Sequence, residues 1–233
     1  MKFTIDSKIF DKFGDVNIGV VVARNINNNG NADNIAELTR SEEKQIRSDF
    51  QPETLSQDPR INCWRRAYSG FGFKPKEAKS SVENLYKMVT RGIEIKRINK
   101  LVDIYNYICL KYMVPVGGED IDAMHGNLRL GFALNEQPVK ILGDSKPESP
   151  RDGEVIYKDD EGTICRCWNW READRTKLTP KTQNAILVIE GLSPVTRDQI
   201  MSATHDLSEL ITKHCGGTTE EFILDKNLLE INL

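Results

Sequence analysis

A change of hydrophobic rhythm at Pro115-Val116-Gly117-Gly118 divides this sequence. Upstream, apolar residues recur at helical spacing. Downstream they come in short, alternating or β-branched runs separated by polar turns. A helix-rich stretch, a block of strands and a closing helix do not give the repeated βαβ winding of a parallel sheet. The order points to an α+β fold with a mixed or mainly antiparallel sheet.

The clearest helix spans residues 80–91. Ser80 and Glu83 have capping-box spacing, in which each side chain bonds the other residue's backbone N–H. Val82, Leu85, Tyr86 and Val89 fall on one face, and Gly92 marks the stop. A second helix is expected over residues 99–112, and a charged, weakly amphipathic one over 35–50. Residues 17–23 (NIGVVVA) read as a buried strand and 25–34 as a loop. Strand signals follow at 128–133, 139–142, 154–157, 164–168 and 185–190. Asp159-Asp160-Glu161-Gly162 makes a hairpin turn. Ser193 as N-cap and Pro194 at the first helical position open a last helix that Gly216-Gly217 ends. A strand at 221–224 closes the chain. No repeat and no strong break divides it, so residues 1–233 are read as a single domain.

No run of about 18 apolar residues exists to cross a bilayer, and the charged start has no signal-peptide core. A soluble, cytoplasmic protein is expected. The five cysteines, of which only Cys165 and Cys167 lie close together, do not make a disulfide framework. With three histidines and no C-x-x-C pair, no structural metal is expected, and no cofactor is called for. The formal net charge is −3, which argues against a protein that coats nucleic acid non-specifically. Yet residues 60–100 hold eleven Lys/Arg and three Asp/Glu. That segment is either a solvated helix surface or an anion-binding face.

The common catalytic signatures are missing: no phosphate-binding loop, dinucleotide fingerprint, H-E-x-x-H or nucleophile elbow. Ser69-Gly70-Phe71-Gly72 reads as a tight turn. His205 and His214 read as structural or surface residues. His125, in an expected turn, is the histidine best placed for function. Two clusters stand out. In VDIYNYICLKYMVPVGGEDID (102–122) a helix carrying Asp103 and Asn106 one turn apart runs into a glycine turn and three acids. It suits either binding of an amine, hydroxyl or cation, or helix capping, with Asp120 capping the next turn. In ICRCWNWREADRTKLTPKT (164–182) a strand would put Trp168 and Trp170 on one face and Asn169 and Arg171 on the other. It suits either stacking on a base beside phosphate contacts, or core packing with Arg171 paired to Glu172 or Asp174. Glu190 ends the strand at 185–190, as a pocket-floor acid or a surface one.

The run LVDIYNYICLKYMVPVGGEDIDAMHG (101–126) resembles a segment of the phenylalanyl-tRNA synthetase β subunit. Trp64-Arg65-Arg66-Ala67-Tyr68 with Phe71-Gly72, Pro115 to Asp120, Gly153 to Asp159, and Trp168 to Glu172 resemble the free-standing B3/B4 proteins more closely still. The likeness covers about residues 60–192. It implies a B3/B4-type module, a β-sandwich or barrel-like sheet flanked by helices. In the synthetase that module hydrolyses mischarged tRNA. The implied function is a tRNA-binding protein acting as a trans-editing deacylase. The alternative is a non-catalytic module of the same fold that binds RNA or an amino acid. The implied partner is the acceptor end of tRNA or aminoacyl-tRNA. Asn106 matches the family's asparagine, while Tyr105 and Gly117 replace its threonine and histidine. Glu190 matches the acid that reads a tyrosine hydroxyl. The expected catalytic residues are Asn106, Asp120 and Glu190, with Asn106 and Asp120 holding the α-amino group and the water. Tyr105, Gly117, Gly118, Trp168, Asn169, Trp170, Arg171 and Thr176 are expected around the substrate, with Arg171 toward the terminal phosphate or adenosine. Arg65, Arg66, Lys74 and Lys76 are expected to meet RNA.

Overall fold

The computed structural model describes residues 1–233. The two ends of the chain are both built into the sheets. Lys2–Ile5 form β1, Ser7–Lys12 form α1 and Asn17–Arg24 form β2. Four helices follow: α2 (Asp33–Asp49), α3 (Pro59–Gly70), α4 (Ser81–Thr90) and α5 (Lys100–Tyr112). Then come β3 (Val116–Asp120), β4 (Leu128–Phe132), β5 (Val155–Lys158), β6 (Thr163–Arg166), β7 (Arg171–Glu172) and β8 (Ala185–Gly191). Helix α6 (Arg197–Cys215), β9 (Thr218–Leu224) and β10 (Glu230–Asn232) complete the chain.

The strands form two open sheets, in the orders β10-β1-β4-β5-β6-β7 and β3-β8-β2-β9. Only β1 and β4 pair in parallel; every other ladder is antiparallel. The fold is therefore α+β with one mixed and one antiparallel sheet, and neither closes into a barrel. Buried apolar side chains from both sheets and the helices form one continuous cluster running from Phe3 to Ile231.

Local chemistry explains the helix ends. Asn99 accepts from the Val102 N–H and starts α5, which stops at Met113 in the left-handed region (φ 54°). Ser80 Oγ accepts from the Glu83 N–H at 3.4 Å, but the expected capping box is only half made. The Glu83 carboxylate turns instead to Arg65 and Lys87, at 2.6 and 2.9 Å. Helix α6 opens three residues after the expected Ser193. Thr196 is its N-cap, and Gln199 completes a capping box there. Helix α3 has its own signals: Asp58 caps it, Pro59 sits in its first turn, and Ile61, Trp64, Ala67 and Tyr68 are buried.

Two strand expectations fail. Residues 139–142 contribute only the isolated pairings Val139–Glu148 and Ile141–Ala173. Strand β6 stops at Arg166, because Cys167 and Trp168 take left-handed conformations (φ 47° and 64°) and turn the chain. Buried Glu154 fixes that turn. Its carboxylate accepts from Arg166 Nε and Nη2 at 3.1 and 3.0 Å and from the Cys167 N–H at 2.8 Å.

Candidate functional site

A cavity of about 320 Å³ lies where the two sheets and two helices meet. Helix α4 supplies Ser81, Asn84 and Leu85; α5 supplies Tyr105 and Asn106. Strand β3 supplies residues 116–119, β8 supplies Ile186, Val188 and Glu190, the turn after β6 supplies Trp168 to Trp170, and β7 supplies Arg171 and Glu172. The two sequence clusters near positions 110 and 170 therefore face one another across a shared hollow.

Its floor is a hydrogen-bond chain joining both sheets. Tyr68 Oη donates to Asn169 Oδ1 at 2.8 Å, and Asn169 Nδ2 donates to Glu190 Oε2 at 2.7 Å. Tyr157 Oη donates to Glu190 Oε1 at 2.6 Å. Glu190 is buried, and burial pushes its carboxyl up to about 7, although Tyr157 and Asn169 pull the other way by donating to the ionised form. The Trp168 ring packs into the core, edge-on to Trp64 at 5.1 Å and against Phe13 at 5.0 Å. Its Nε1–H turns toward the Glu190 carboxylate without closing a hydrogen bond of good geometry.

The opposite wall carries Glu119 and Glu172. Burial raises both carboxyls; the field of Glu172 raises that of Glu119 further, while the Gly118 N–H pulls that of Glu172 the other way. The Gly118 N–H lies on the open edge of β3 and turns toward the Glu172 carboxylate. A Cβ at Gly117 would lie 3.3 Å from Glu172 Oε1, so glycine keeps this wall open. The Asn106 side chain, half-buried in the cavity wall, makes no hydrogen bond to the protein. Burial lifts the thiol of Cys165 well above its ordinary range, which leaves this lining cysteine without nucleophilic character.

Nine expected residues line the cavity: Asn106, Glu190, Tyr105, Gly117, Gly118, Trp168, Asn169, Trp170 and Arg171. Asp120 and Thr176 do not. Along β3 alternate residues face opposite ways, so Glu119 turns inward and Asp120 away. The Asp120 carboxylate accepts from Thr182 Oγ1 at 2.6 Å and from the Asp122 N–H at 3.0 Å, as a cap. Thr176 is buried behind Glu119. Trp168 and Trp170 share no strand face, since a turn separates them. Arg171 is committed to Asp144 at 2.7 Å and lies over the Trp170 ring at 5.4 Å. That partner is neither of the acids expected. Arg65 is held by Glu83, whereas Arg66, Lys74 and Lys76 are exposed and unpaired. His125 is exposed, beside Glu161 at 2.9 Å, away from the cavity. Sequence reasoning meets Glu119 only as one of three acids after the glycine turn and Glu172 only as a partner for Arg171, and gives Tyr157 and Tyr68 no role, although all four stand inside the motifs that carry the resemblance.

Two open sheets with a cavity at their junction, apolar over most of its lining with carboxyls and amides set into it, define an α+β module. The chain belongs to the B3/4 domain family, whose model matches residues 63–216. The phenylalanine–tRNA ligase β subunit of Fusobacterium nucleatum is 27% identical over 129 residues, 55% of this chain and 16% of that subunit. The corresponding subunit of Ruegeria pomeroyi is 33% identical over 97 residues, 42% of this chain and 12% of its own length. The chain thus spans under a fifth of either relative. A crystal structure of an N-terminal fragment of the Pyrococcus horikoshii phenylalanyl-tRNA synthetase β subunit aligns with 95% of this chain and 53% of its own, at 11% identity and a TM-score of 0.48. No helix is long and apolar enough to cross a membrane.

Proposed function

We propose that this protein binds the acceptor end of aminoacyl-tRNA and hydrolyses the ester of a mischarged one. The observation that carries the reading is the convergence of Asn106, the Gly117-Gly118 edge and Glu190 on one cavity of about 320 Å³, a volume typical of small-ligand sites. The family membership supports it. The proposal takes residues 1–233 as one module, as the continuous core suggests.

An aminoacyl ester is already activated, so a positioned water suffices. Water held between Asn106 and Glu190 attacks the carbonyl carbon. Glu190, with a carboxyl near 7, accepts the water's proton at neutral pH. The bond from that carbon to the ribose oxygen breaks, and the oxygen takes the proton. A free amino acid and an uncharged 3′ end leave. The hydroxyl of Tyr157 already donates to Glu190 Oε1, so a substrate hydroxyl would have to share that oxygen or displace Tyr157.

A panel of misacylated tRNAs tests this. Cleavage of at least one is expected, falling about a hundredfold in Asn106→Ala, in line with misplacement of the attacking water. Glu190→Gln is expected to lose at least as much, as for a general base. Tight tRNA binding with no cleavage of any member would leave the non-catalytic alternative. Neither binding nor cleavage at low salt would end both.

A further inference from the structure

Glu119 and Glu172 form the most unusual group in the molecule that the proposed chemistry does not use. Both line the cavity, and Glu119 is only 8% exposed. Its Oε2 closes no hydrogen bond of good geometry, and the Thr176 hydroxyl is the one donor that pulls its carboxyl down. No cation pairs with either carboxylate. Arg175, the nearest opposite charge to Glu119, is held bidentate by Asp159 at 2.8 and 2.5 Å. Lys177 is taken by Asp174 at 2.6 Å. A buried carboxylate beside a half-buried one, with no counter-charge, is costly, and the cost is relieved by a proton or by a cation entering the cavity.

The cavity has no free positive charge to answer a ligand carboxylate. Arg171, the only basic side chain on its wall, is spent on Asp144. Three carboxyls, Glu119, Glu172 and Glu190, face the same space. A zwitterionic amino acid would bring its own carboxylate into that field, and an esterified or amidated one would not.

We infer that Glu119 and Glu172 receive a primary ammonium group, and that the cavity selects an amine whose carboxyl is masked over the corresponding free amino acid. The inference deepens the deacylase reading. It rests on that reading only for the natural ligand being an ester, and it gives hydrolysis a direction: cleavage unmasks a carboxylate that the acidic cavity then expels. The two acids are too few to hold a divalent cation in an oxygen cage of six to eight ligands, and no group of three metal-ligating side chains is present.

The test uses hydrolysis-resistant small molecules on the full chain. Valinamide, leucinamide, phenylalaninamide and lysinamide are titrated by NMR, each beside its free amino acid and its N-acetylated amide. At least one amide is expected to bind about tenfold or more tightly than its free acid, with N-acetylation abolishing binding. Glu119→Gln and Glu172→Gln should each weaken that amide at least fivefold. Free acids binding as well as amides, N-acetyl amides binding as well as amines, or no amide binding would overturn the inference. So would a magnesium or calcium ion that occupies the pair and is not displaced by amides. The comparison of ligands on the unaltered protein stands even if a variant fails to fold. Amide selectivity without tRNA cleavage would sink the proposed function alone. Cleavage without amide selectivity would sink this inference alone.

Discussion

Glu190 shows how one buried acid ties stability to pH. In the unfolded chain it ionises near its ordinary value, and in the fold near 7. Between those values the native state keeps a proton that the unfolded chain has released. Stability therefore falls as pH rises through this window and levels off above it. A shift of this size corresponds to on the order of 3 kcal/mol. Glu190→Gln cannot titrate. Its stability relative to the parent protein should rise by roughly 1–3 kcal/mol between about pH 5 and about pH 8, read by urea unfolding at both. The variant carries a pH-independent cost as well, since a Gln amide meets the Asn169 amide donor. A difference between the two proteins that does not move with pH would remove Glu190 from the titrating set. Glu119 and Glu172 act in the same direction, so the variant flattens the profile without abolishing it. The sequence makes Glu190 legible, because a strand pattern ending in an acid places that acid at a sheet margin. It does not separate Glu119 from Asp120. Both are acids in one motif, and only the face of β3 decides which enters the cavity. Nor does it reach Tyr157, whose partner is 33 residues away on another sheet.

The elements show where periodicity suffices and where it fails. Helices α4 and α5 and strands β2 and β8 are legible because each buries one clean face or a β-branched run. Strands β1 and β10 are four and three residues long, too short for any rhythm to emerge, and they pair only with each other and β4. The turn at 167–170 reads as strand in the sequence because its geometry comes from a distant acid. Glu154 gathers Arg166 and the Cys167 N–H into a group with Glu154 and Arg166 both buried. Removing Glu154 would leave the buried Arg166 only the exposed Glu148, at 3.3 Å. Glu154→Ala should cost about 3–5 kcal/mol in chemical unfolding. Near-neutral stability would show that the turn holds itself. A second close approach fixes the opposite side of the molecule. A Cβ on Gly19 would come within 1.9 Å of Thr204 Oγ1, so α6 lies directly on β2. Gly19→Ala must push the helix away or force Thr204 off its bond to the Ile200 carbonyl. A loss of roughly 1–3 kcal/mol is expected, as for other overpacked sites, and a melting point unchanged by the substitution would refute that packing account.

Across the whole molecule, charge is sorted rather than spread. The acids that matter most are inside, around the cavity, while the basic surplus of residues 60–100 is outside. Part of that surplus is structural: Arg60 pairs with Asp58, Arg65 and Lys87 with Glu83, and Arg97 with Asp33 and Asp103. Arg66, Lys74, Lys76 and Lys79 have no acidic partner. The loop bearing the last three runs into α4, whose first residue, Ser81, is on the cavity wall. A phosphate chain lying along this loop would bring its 3′ end to the cavity, the cations drawing the polymer while the acids inside draw only the ammonium at its tip. The two functions should therefore separate under mutation. Lys74→Ala, Lys76→Ala and Lys79→Ala combined should weaken tRNA binding and reduce the slope of log K against log salt by about 2–3, roughly 0.7–0.9 for each phosphate no longer neutralised. Arg65→Ala should leave the slope nearly unchanged and lower stability instead, because Glu83 is fully buried and keeps only Lys87. Asn106→Ala should change neither slope nor stability appreciably while lowering turnover. If the triple variant keeps the parent's salt slope, this loop does not carry the phosphates and the RNA must approach the cavity from another side.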